Sequence, residues 1–227
     1  IWRVERRGWG GLEKRCRSLQ QSWRDTNLKG RLIMPGLDEV HAGKKTGDER
    51  FRERGKGLPF DLKSFWQWSA SDLLSNVTRG VMAEFLVAKA VGLADESIRK
   101  EWDPFDLVTP EGIKVEVKSS AYLQSWTQRE LSKVRFLVPK TRAWDYATNK
   151  RVTEKARHAD VYVFALLAHE DKSTVDPMNL DQWTFYVIPT TTLNVLDRNS
   201  LRIQDLGDHA EPLQFGQIRE AVLFSQK

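Results

Sequence analysis

The sequence predicts an α/β (α+β) protein in which helices flank a central mixed β-sheet. Three observations predict this class. A long helical pattern covers residues 71–91, a β-hairpin joins 105–109 to 113–119, and later segments are rich in β-branched and aromatic residues. The order of helix, hairpin, strands and final helix indicates a sheet covered by helices.

Local signals define each element in turn. Ser69 and Asp72 suit the start of the helix over 71–91, Gly92 suits its end, and Pro110 with Gly112 suits the tight turn of the hairpin. Two segments come before these: residues 11–30 are weakly helical, and residues 41–57 are charged, Gly-rich and predicted as a loop or linker. The elements predicted after the hairpin are strands at 133–139, 160–168 and 182–189, a short helix at 190–196 and a helix at 211–224 with Pro212 in its first turn.

Charge is distributed unevenly along the 227 residues. The net charge is +5, but residues 1–57 alone contain 15 Lys+Arg against 8 Asp+Glu, and residues 58–227 are slightly acidic. We therefore divide the chain into a basic N-terminal arm with a helical extension and linker (1–57) and a main domain (58–227). A concentrated basic region suits a polyanion, with nucleic acid first and an anionic membrane surface second, and a merely solvated arm is the alternative.

The composition also excludes several classes of protein. No apolar run approaches the eighteen or so residues needed to cross a membrane, and the first residues lack a secretory signal, so we expect no membrane partner. The single cysteine, Cys16, excludes an internal disulfide and suits a cytoplasmic location. The four histidines are scattered without the spacing of a zinc site.

Glu84 is an unusual residue within the predicted helix. It is the only acidic residue between Leu73 and Ala94, and its neighbours at helical spacing are apolar, with Val81 and Ala88 one turn away. Burying an unpaired carboxylate costs several kcal/mol. A distant cation, protonation, a hydrogen-bond network or a metal ion would offset that cost. The alternative is that Glu84 lies at the edge of the stripe and reaches water.

Three further charged residues lie on the hairpin. In the segment GIKVEVKSS, Glu116 and Lys118 share one face of a strand, because side chains alternate along it. Asp106 lies on the first strand and comes within about 5 Å of Glu116 if the register aligns them. If the Glu84 helix packs against the same face, three carboxylates and one lysine converge. Hard oxygen ligands of this kind suit Mg²⁺ or Mn²⁺.

The pattern of Glu84, then Pro104-x-Asp106, then Glu116-x-Lys118 resembles the PD-(D/E)XK, or restriction-endonuclease-like, nuclease superfamily. The resemblance covers residues 70–120 and extends weakly to the later strands. Phe105 stands between the proline and the aspartate, and Asp103 is a rival for the aspartate position. The resemblance implies a restriction-endonuclease-like core and metal-dependent hydrolysis of phosphodiester bonds.

The resemblance also implies roles for the site residues. Glu84, Asp106, Glu116 and Lys118 would be catalytic. Asp106, Glu116 and the backbone carbonyl of Val117 would bind Mg²⁺ or Mn²⁺, and Glu84 would bind it directly or through water. Lys118 would orient the attacking water and stabilise developing negative charge.

Several other residues are candidates for contact with nucleic acid, each with an ordinary alternative. Ser120 and Gln124 share the parity of Lys118 if the strand continues, and Arg79 precedes Glu84 on the helix. Ordinary polar or surface positions are the alternative for all three. Arg151 and Arg157 belong to a basic cluster with Lys155 and His158, and a solvated loop is as good an interpretation. Core positions are the alternative to base stacking for Trp66, Trp68 and Trp126.

The leading hypothesis is thus a metal-dependent DNA endonuclease, with a restriction or phage-defence setting that the resemblance alone implies. RNA is not excluded as a substrate. The resemblance allows for a homodimer or for a defence-system partner protein. The alternative function is a nucleic-acid-binding module that keeps the nuclease fold but does not catalyse hydrolysis.

Overall fold

The computed structural model describes residues 40–93, 97–101, 103–145 and 150–225. The predicted helix at 11–30 lies outside these residues. The strands are β1 (Arg50–Glu53), β2 (Lys56–Asp61), β3 (Leu107–Val108), β4 (Lys114–Ala121), β5 (Arg135–Leu137), β6 (Trp144–Asp145), β7 (Lys150–Arg151), β8 (Val161–Leu167), β9 (Trp183–Pro189) and β10 (Ser200–Arg202). The α-helices are α1 (Leu62–Ala70), α2 (Asn76–Ala90), α3 (Thr190–Leu196), α4 (Ile203–Gly207) and α5 (Ile218–Phe224).

A four-stranded sheet in the order β3-β4-β8-β9 forms the centre of the fold. The strands β3 and β4 are antiparallel, β4 and β8 are parallel, and β8 and β9 are antiparallel, so the sheet is mixed. All seven residues of β8 are buried, which agrees with its position inside the sheet. The predicted α+β class, with a mixed sheet flanked by helices, is confirmed.

Each face of this sheet is covered by a separate hydrophobic core. On one face, Val115 and Val117 of β4 pack with Ala83 and Val87 of α2 and with residues of α5. On the other face, residues of β8 and β9 pack with β5, β10, α3 and α4. The alternation of side chains along β4 decides which residues face which core.

The helix predicted over 71–91 forms over residues 76–90 as α2, and a separate helix that was not predicted, α1, precedes it. Asp61 caps α1, because its side chain accepts a hydrogen bond from the Ser64 N–H, and Ser75 caps α2 in the same way. The Asp72 side chain accepts hydrogen bonds from two backbone N–H groups in the break between them. Gly92, with φ of 79°, follows the end of α2, as predicted.

The charged segment 41–57 contains more structure than the predicted loop. Its second half belongs to the β1–β2 hairpin, and Arg54 and Gly55, both with positive φ, form the two-residue turn. The hairpin extends across the predicted boundary between residues 57 and 58. The division of the chain into two domains at that point stays a prediction.

Two later segments also differ from the sequence prediction. Residues 135–137 form β5, which pairs with β10 outside the central sheet. The α-helix predicted at 211–224 begins only at Ile218, because Leu213 pairs with Phe185 beside β9 and a 3-10 turn, Phe215–Gln217, follows before the helix. Among the described residues, no helix combines the length and apolar composition needed to cross a membrane.

Candidate active site at the open edge of the central sheet

The turn of the β3–β4 hairpin sets the position of Asp106. The Gly112 N–H donates to the Thr109 carbonyl over 2.9 Å, and Leu107 then pairs with Val115. One residue before Leu107, the Asp106 N–H donates to the Val115 carbonyl over 3.1 Å. This register places Asp106 opposite Glu116, as the sequence predicts.

The short strand β3 leaves part of the edge of β4 open. Leu107 is the first residue of β3 and pairs with Val115. Among the described residues, no strand residue therefore pairs with Val117 on this edge of β4. The Val117 N–H donates instead to Asp106 Oδ2, over 2.7 Å. The Asp106 carboxylate therefore caps the edge of the sheet, between its two faces.

Glu116 and Lys118 lie on the same face of β4, as alternation requires, and form a salt bridge between Lys118 Nζ and Glu116 Oε1. The exposed fractions of these side chains are 17% for Glu116 and 30% for Lys118, so the pair is partly shielded from water. On β8, Tyr162 pairs directly with Glu116. Burial and the negative charge of Glu116 raise the pKa of Tyr162 to about 12.

Glu84 reaches the site from the other face of the sheet. The condition considered from the sequence, that its helix packs against the Glu116 face, is not met, because α2 packs on the opposite face with Val115 and Val117. The apolar stripe around Glu84 does not point into the core either, since Val81 is 42% exposed. Glu84 approaches Asp106 around the open edge.

A distant cation neutralises Glu84, one of the four options left open by the sequence. Arg99 Nε lies 2.5 Å from Glu84 Oε2, and Arg99 Nη2 lies 3.0 Å from Oε1. The hydrogen bond to Glu84 raises the pKa of Arg99. The Glu84 side chain is only 12% exposed, and this bidentate ion pair offsets the cost of its desolvation.

Asp106 lies where several charges meet. Burial raises the pKa of Asp106 from its ordinary value of 3.8 to about 6, and the negative charges of Glu116 and Glu84 act in the same direction. The hydrogen bond from Val117 and the positive charge of Lys118 lower the pKa without cancelling that rise. The other three side chains predicted as catalytic, Glu84, Glu116 and Lys118, therefore all act on the charge of Asp106.

A pocket of about 380 Å³ opens beside these residues, between α2 and the segment that leads to β3. Glu84, Arg99 and Asp106 contribute to its polar part, and Val81 and Phe85 to its apolar wall. The rival aspartate, Asp103, also lines this pocket. Asp106, in contrast, caps the edge of β4 directly.

The donor chemistry of the site fits Mg²⁺ or Mn²⁺, since Asp106, Glu116 and Glu84 present only hard oxygen ligands. Within the described ranges, however, no three His, Cys, Asp or Glu residues form a group arranged to hold a metal ion. Glu84 is occupied by Arg99 and Glu116 by Lys118. A metal ion would therefore compete with these two cations for the carboxylates.

Two residues of this site were not found from the sequence. Arg99 lies in a segment without regular structure, 15 positions after Glu84, and no periodicity links the two. Tyr162 lies next to Glu116 only because of the parallel β4–β8 register. A long-range pairing of this kind leaves no local signal in the sequence.

Two residues proposed for nucleic-acid contact form an internal network. Arg79 is 4% exposed and its guanidinium donates to the Leu74 carbonyl, the Asn76 side chain, Ser119 and Gln124. Burial lowers the pKa of Arg79. Gln124 is 6% exposed and also donates to the Ala121 carbonyl. These contacts tie α2 to β4.

The remaining candidates for nucleic-acid contact are spread over the fold. Ser120 is half-buried on the Lys118 side of β4, and Arg151 is exposed on β7. Arg157 is 8% exposed and donates to the Val138 and Arg198 carbonyls and to Asn194, the contacts of a structural arginine. Binding of nucleic acid by these residues stays a prediction. The three tryptophans proposed for stacking are exposed rather than in the core: Trp66 by 41%, Trp68 by 85% and Trp126 by 54%.

The fold and this cluster define a class: a mixed α/β protein with a carboxylate–lysine site at the open edge of its central sheet. A comparison with protein families identifies the family itself. The model of the bacteriophage T4 endonuclease IV family matches residues 59–199, more than half of the chain, and the chain belongs to that family. The match includes Glu84, Asp106, Glu116 and Lys118. A search among curated proteins found no match.

Membership of this family supports a DNA endonuclease, which is a hydrolase that acts on DNA. The family does not by itself establish membership of the PD-(D/E)XK superfamily or a metal requirement.

Proposed function

We propose that this protein is a PD-(D/E)XK endonuclease that hydrolyses phosphodiester bonds of DNA with Mg²⁺ or Mn²⁺ at the open edge of β4. The observation that carries the proposal is the position of Asp106 at the open edge of β4, where its carboxylate accepts a hydrogen bond from the Val117 N–H. Burial and the negative charges of Glu116 and Glu84 raise the pKa of this carboxyl group to about 6, and the positive charge of Lys118 acts in the opposite direction. A strongly perturbed acid among other charged groups is typical of a functional site.

The proposed metal ligands are Asp106, Glu116 and the Val117 backbone carbonyl, with Glu84 as a direct or water-mediated ligand. The N–H and C=O groups of one strand residue point toward the same neighbouring strand. Since the Val117 N–H points to Asp106, its carbonyl is directed to the same open edge. A divalent ion bound there would polarise the phosphate and lower the pKa of its bound water.

The chain's own residues provide the rest of the proposed chemistry. Asp106 must be ionised to act as a ligand, so activity should require a pH above about 6. Lys118, released from Glu116, would orient the attacking water and stabilise negative charge on the phosphate oxygens. Tyr162 forms the wall behind Glu116.

A cleavage assay tests this proposal. Supercoiled plasmid and a labelled oligonucleotide are incubated with Mg²⁺, Mn²⁺ or EDTA, with wild type, Asp106→Asn, Glu116→Gln and Lys118→Ala. We expect metal-dependent cleavage that falls by about 10²–10⁴-fold in each variant, because each removes a ligand or a charge from the transition state.

Asp103→Asn is the matched control, since Asp103 lines the same pocket without capping β4. It should keep most of the activity. DNA binding without cleavage in any metal would instead support the alternative of an inactive binding module. The restriction or phage-defence setting, a homodimer or defence-system partner, and the cytoplasmic location stay predictions.

A further inference from the structure

A second surface, outside the candidate active site, combines exposed aromatic side chains with positive charge. The β1–β2 hairpin and α1 carry five exposed aromatic residues, and we call this surface the aromatic arm: Phe51, Phe60, Phe65, Trp66 and Trp68. No residue from Asp48 to Ala70 is buried. Exposed apolar side chains concentrated on neighbouring elements in this way mark a candidate interaction site.

The aromatic arm is a built structure and not a disordered tail. Phe51 and Phe60 pack against each other across the hairpin with ring centroids 5.1 Å apart. The Lys63 N–H donates to the Gly47 carbonyl over 2.8 Å, which joins the start of α1 to the segment before β1. A Cβ on Gly47 would lie 3.0 Å from the Trp66 ring, so this backbone passes directly against the indole.

Positive charge surrounds the aromatic arm. Five exposed cations lie on the same elements: Arg50, Arg52, Arg54, Lys56 and Lys63. Within the described part of the chain, none of these five cations takes part in a salt bridge. The same stretch, residues 50–63, contains only two acidic side chains, Glu53 and Asp61. The surface therefore combines flat apolar rings with cations that remain available to a polyanion.

We propose that the aromatic arm is a secondary DNA-binding surface, on which unpaired bases stack on the aromatic rings while phosphates contact the surrounding arginines and lysines. Base–aromatic stacking together with cations along the backbone is the usual chemistry of single-strand binding. Strand β1 and the turn of the hairpin, with Phe51 and four of the five cations, precede residue 59, where the family match begins, and the other four aromatic residues lie inside the matched region.

Charge argues against two other occupants. In a symmetric interface with a second copy, the same five cations would face each other and repel. Residues 1–39 also have a positive balance, with nine Lys+Arg against five Asp+Glu. DNA is the occupant whose charge complements the surface, and a DNA substrate already follows from the family.

Binding of a fluorescein-labelled single-stranded oligonucleotide tests the inference. It is measured by fluorescence anisotropy in EDTA, with the full chain, so that catalysis plays no part. Trp68→Ala removes an indole that is 85% exposed and should leave the fold intact. We expect the Kd to rise about 5- to 150-fold, the range for the loss of one stacking ring.

Arg54→Asn tests the cations separately. Arg54 occupies the first position of the two-residue turn, with φ of 48°, and Asn-Gly is the preferred sequence for such a turn. The variant therefore removes a charge while favouring the hairpin. We expect weaker binding and a salt dependence reduced by about 0.7 in the slope of log K against log salt concentration.

The matched control is Val195→Ala, which removes an exposed apolar side chain, 86% exposed, from α3. It should bind like wild type. Unchanged Kd in both Trp68→Ala and Arg54→Asn would overturn the inference. A wild-type dimer that Trp68→Ala converts to monomer, seen by light scattering, would overturn it in favour of self-association.

The outcome does not depend on the proposed metal chemistry. Hydrolysis of bis(p-nitrophenyl) phosphate, which carries no nucleobase and no chain of phosphates, should be equal in wild type and Trp68→Ala. If the metal-dependent mechanism fails, binding in EDTA still decides whether the aromatic arm contacts DNA.

Discussion

Asp106 combines two properties that usually oppose each other, a capping role at the edge of β4 and a buried position among like charges. Its pKa is about 6 in the folded protein, against an ordinary value of 3.8 that the unfolded chain keeps. The folded state therefore binds more protons between these values. The free energy of unfolding contributed by this group is highest below about pH 4 and is lost as the pH rises through about 6.

We therefore expect Asp106→Asn to stabilise the metal-free protein at neutral pH. The amide removes the buried charge and still offers an oxygen to the Val117 N–H, so the free energy of unfolding should rise by about 3 kcal/mol above pH 7. Urea denaturation in EDTA from pH 4 to pH 8 measures it. Equal pH profiles for wild type and variant would contradict the assigned pKa, and Asp103→Asn controls for loss of an acid in the same pocket.

The pairing of Arg99 with Glu84 gives a second prediction at the scale of single residues. If Glu84 is a metal ligand, Arg99 and the ion compete for one carboxylate, so Arg99→Gln should lower the Kd for Mn²⁺. We expect about a tenfold effect, equal to about 1.4 kcal/mol and within the range for directly contacting residues. Isothermal titration calorimetry measures this affinity.

The same substitution in a Glu84→Gln background separates competition from simple charge repulsion. Competition for Glu84 predicts that the gain disappears there. A gain that persists in this background would show that Arg99 only repels the cation. Glu84 would then not be a ligand.

At the scale of elements, features that depend on neighbouring residues were predictable from the sequence, and contacts between residues far apart in the chain were not. The hairpin, Gly92 and α3 follow from turn and capping chemistry within a few residues. The face on which α2 packs was not predictable, because an apolar stripe such as Val81 and Ala88 can line a pocket as well as a core. The partner of Glu84 and the neighbour of Glu116 depend on contacts between residues 15 and 46 positions apart.

The turn of the β3–β4 hairpin can be tested directly. Gly112 has φ of 87°, which an L side chain adopts only with strain, although no atom lies within 4 Å of a Cβ there. We expect Gly112→Ala to lower the free energy of unfolding by about 1–2 kcal/mol through backbone strain alone. Denaturation by urea measures the loss.

Gly207→Ala is the matched control for this substitution. Gly207 ends α4 without a positive φ, and a Cβ there also meets no atom within 4 Å. Alanine should be neutral or stabilising by about 0.5 kcal/mol. Equal stability of Gly112→Ala and wild type would show that this turn does not hold the hairpin in the register that places Asp106 opposite Glu116.

At the scale of the whole molecule, the two faces of the sheet support different parts of the candidate site. One core anchors α2, which carries Glu84, and the other supports the face of β4 that carries Glu116 and Lys118. The two sets of groups meet only at the edge left open by the short strand β3. Stability of the fold and charge at the site are therefore linked through a small number of contacts.

This linkage predicts that a divalent ion stabilises the whole protein. An ion that binds the folded state and not the unfolded chain raises the free energy of unfolding by about 2.7 kcal/mol at a concentration of 100 times its Kd. We expect Mg²⁺ or Mn²⁺ to raise the Tm relative to EDTA. The shift should shrink below about pH 6, because a proton must first leave Asp106.

Calorimetry at pH 5 and pH 8, with and without metal, measures this effect, and Asp106→Asn is the control in which it should largely vanish. A Tm that metal raises equally in wild type and variant would place the ion elsewhere on the protein. If no divalent ion changes the Tm, no ion binds the carboxylates, and they remain paired with Arg99 and Lys118. The site would then bind DNA through these cations without the metal chemistry proposed above.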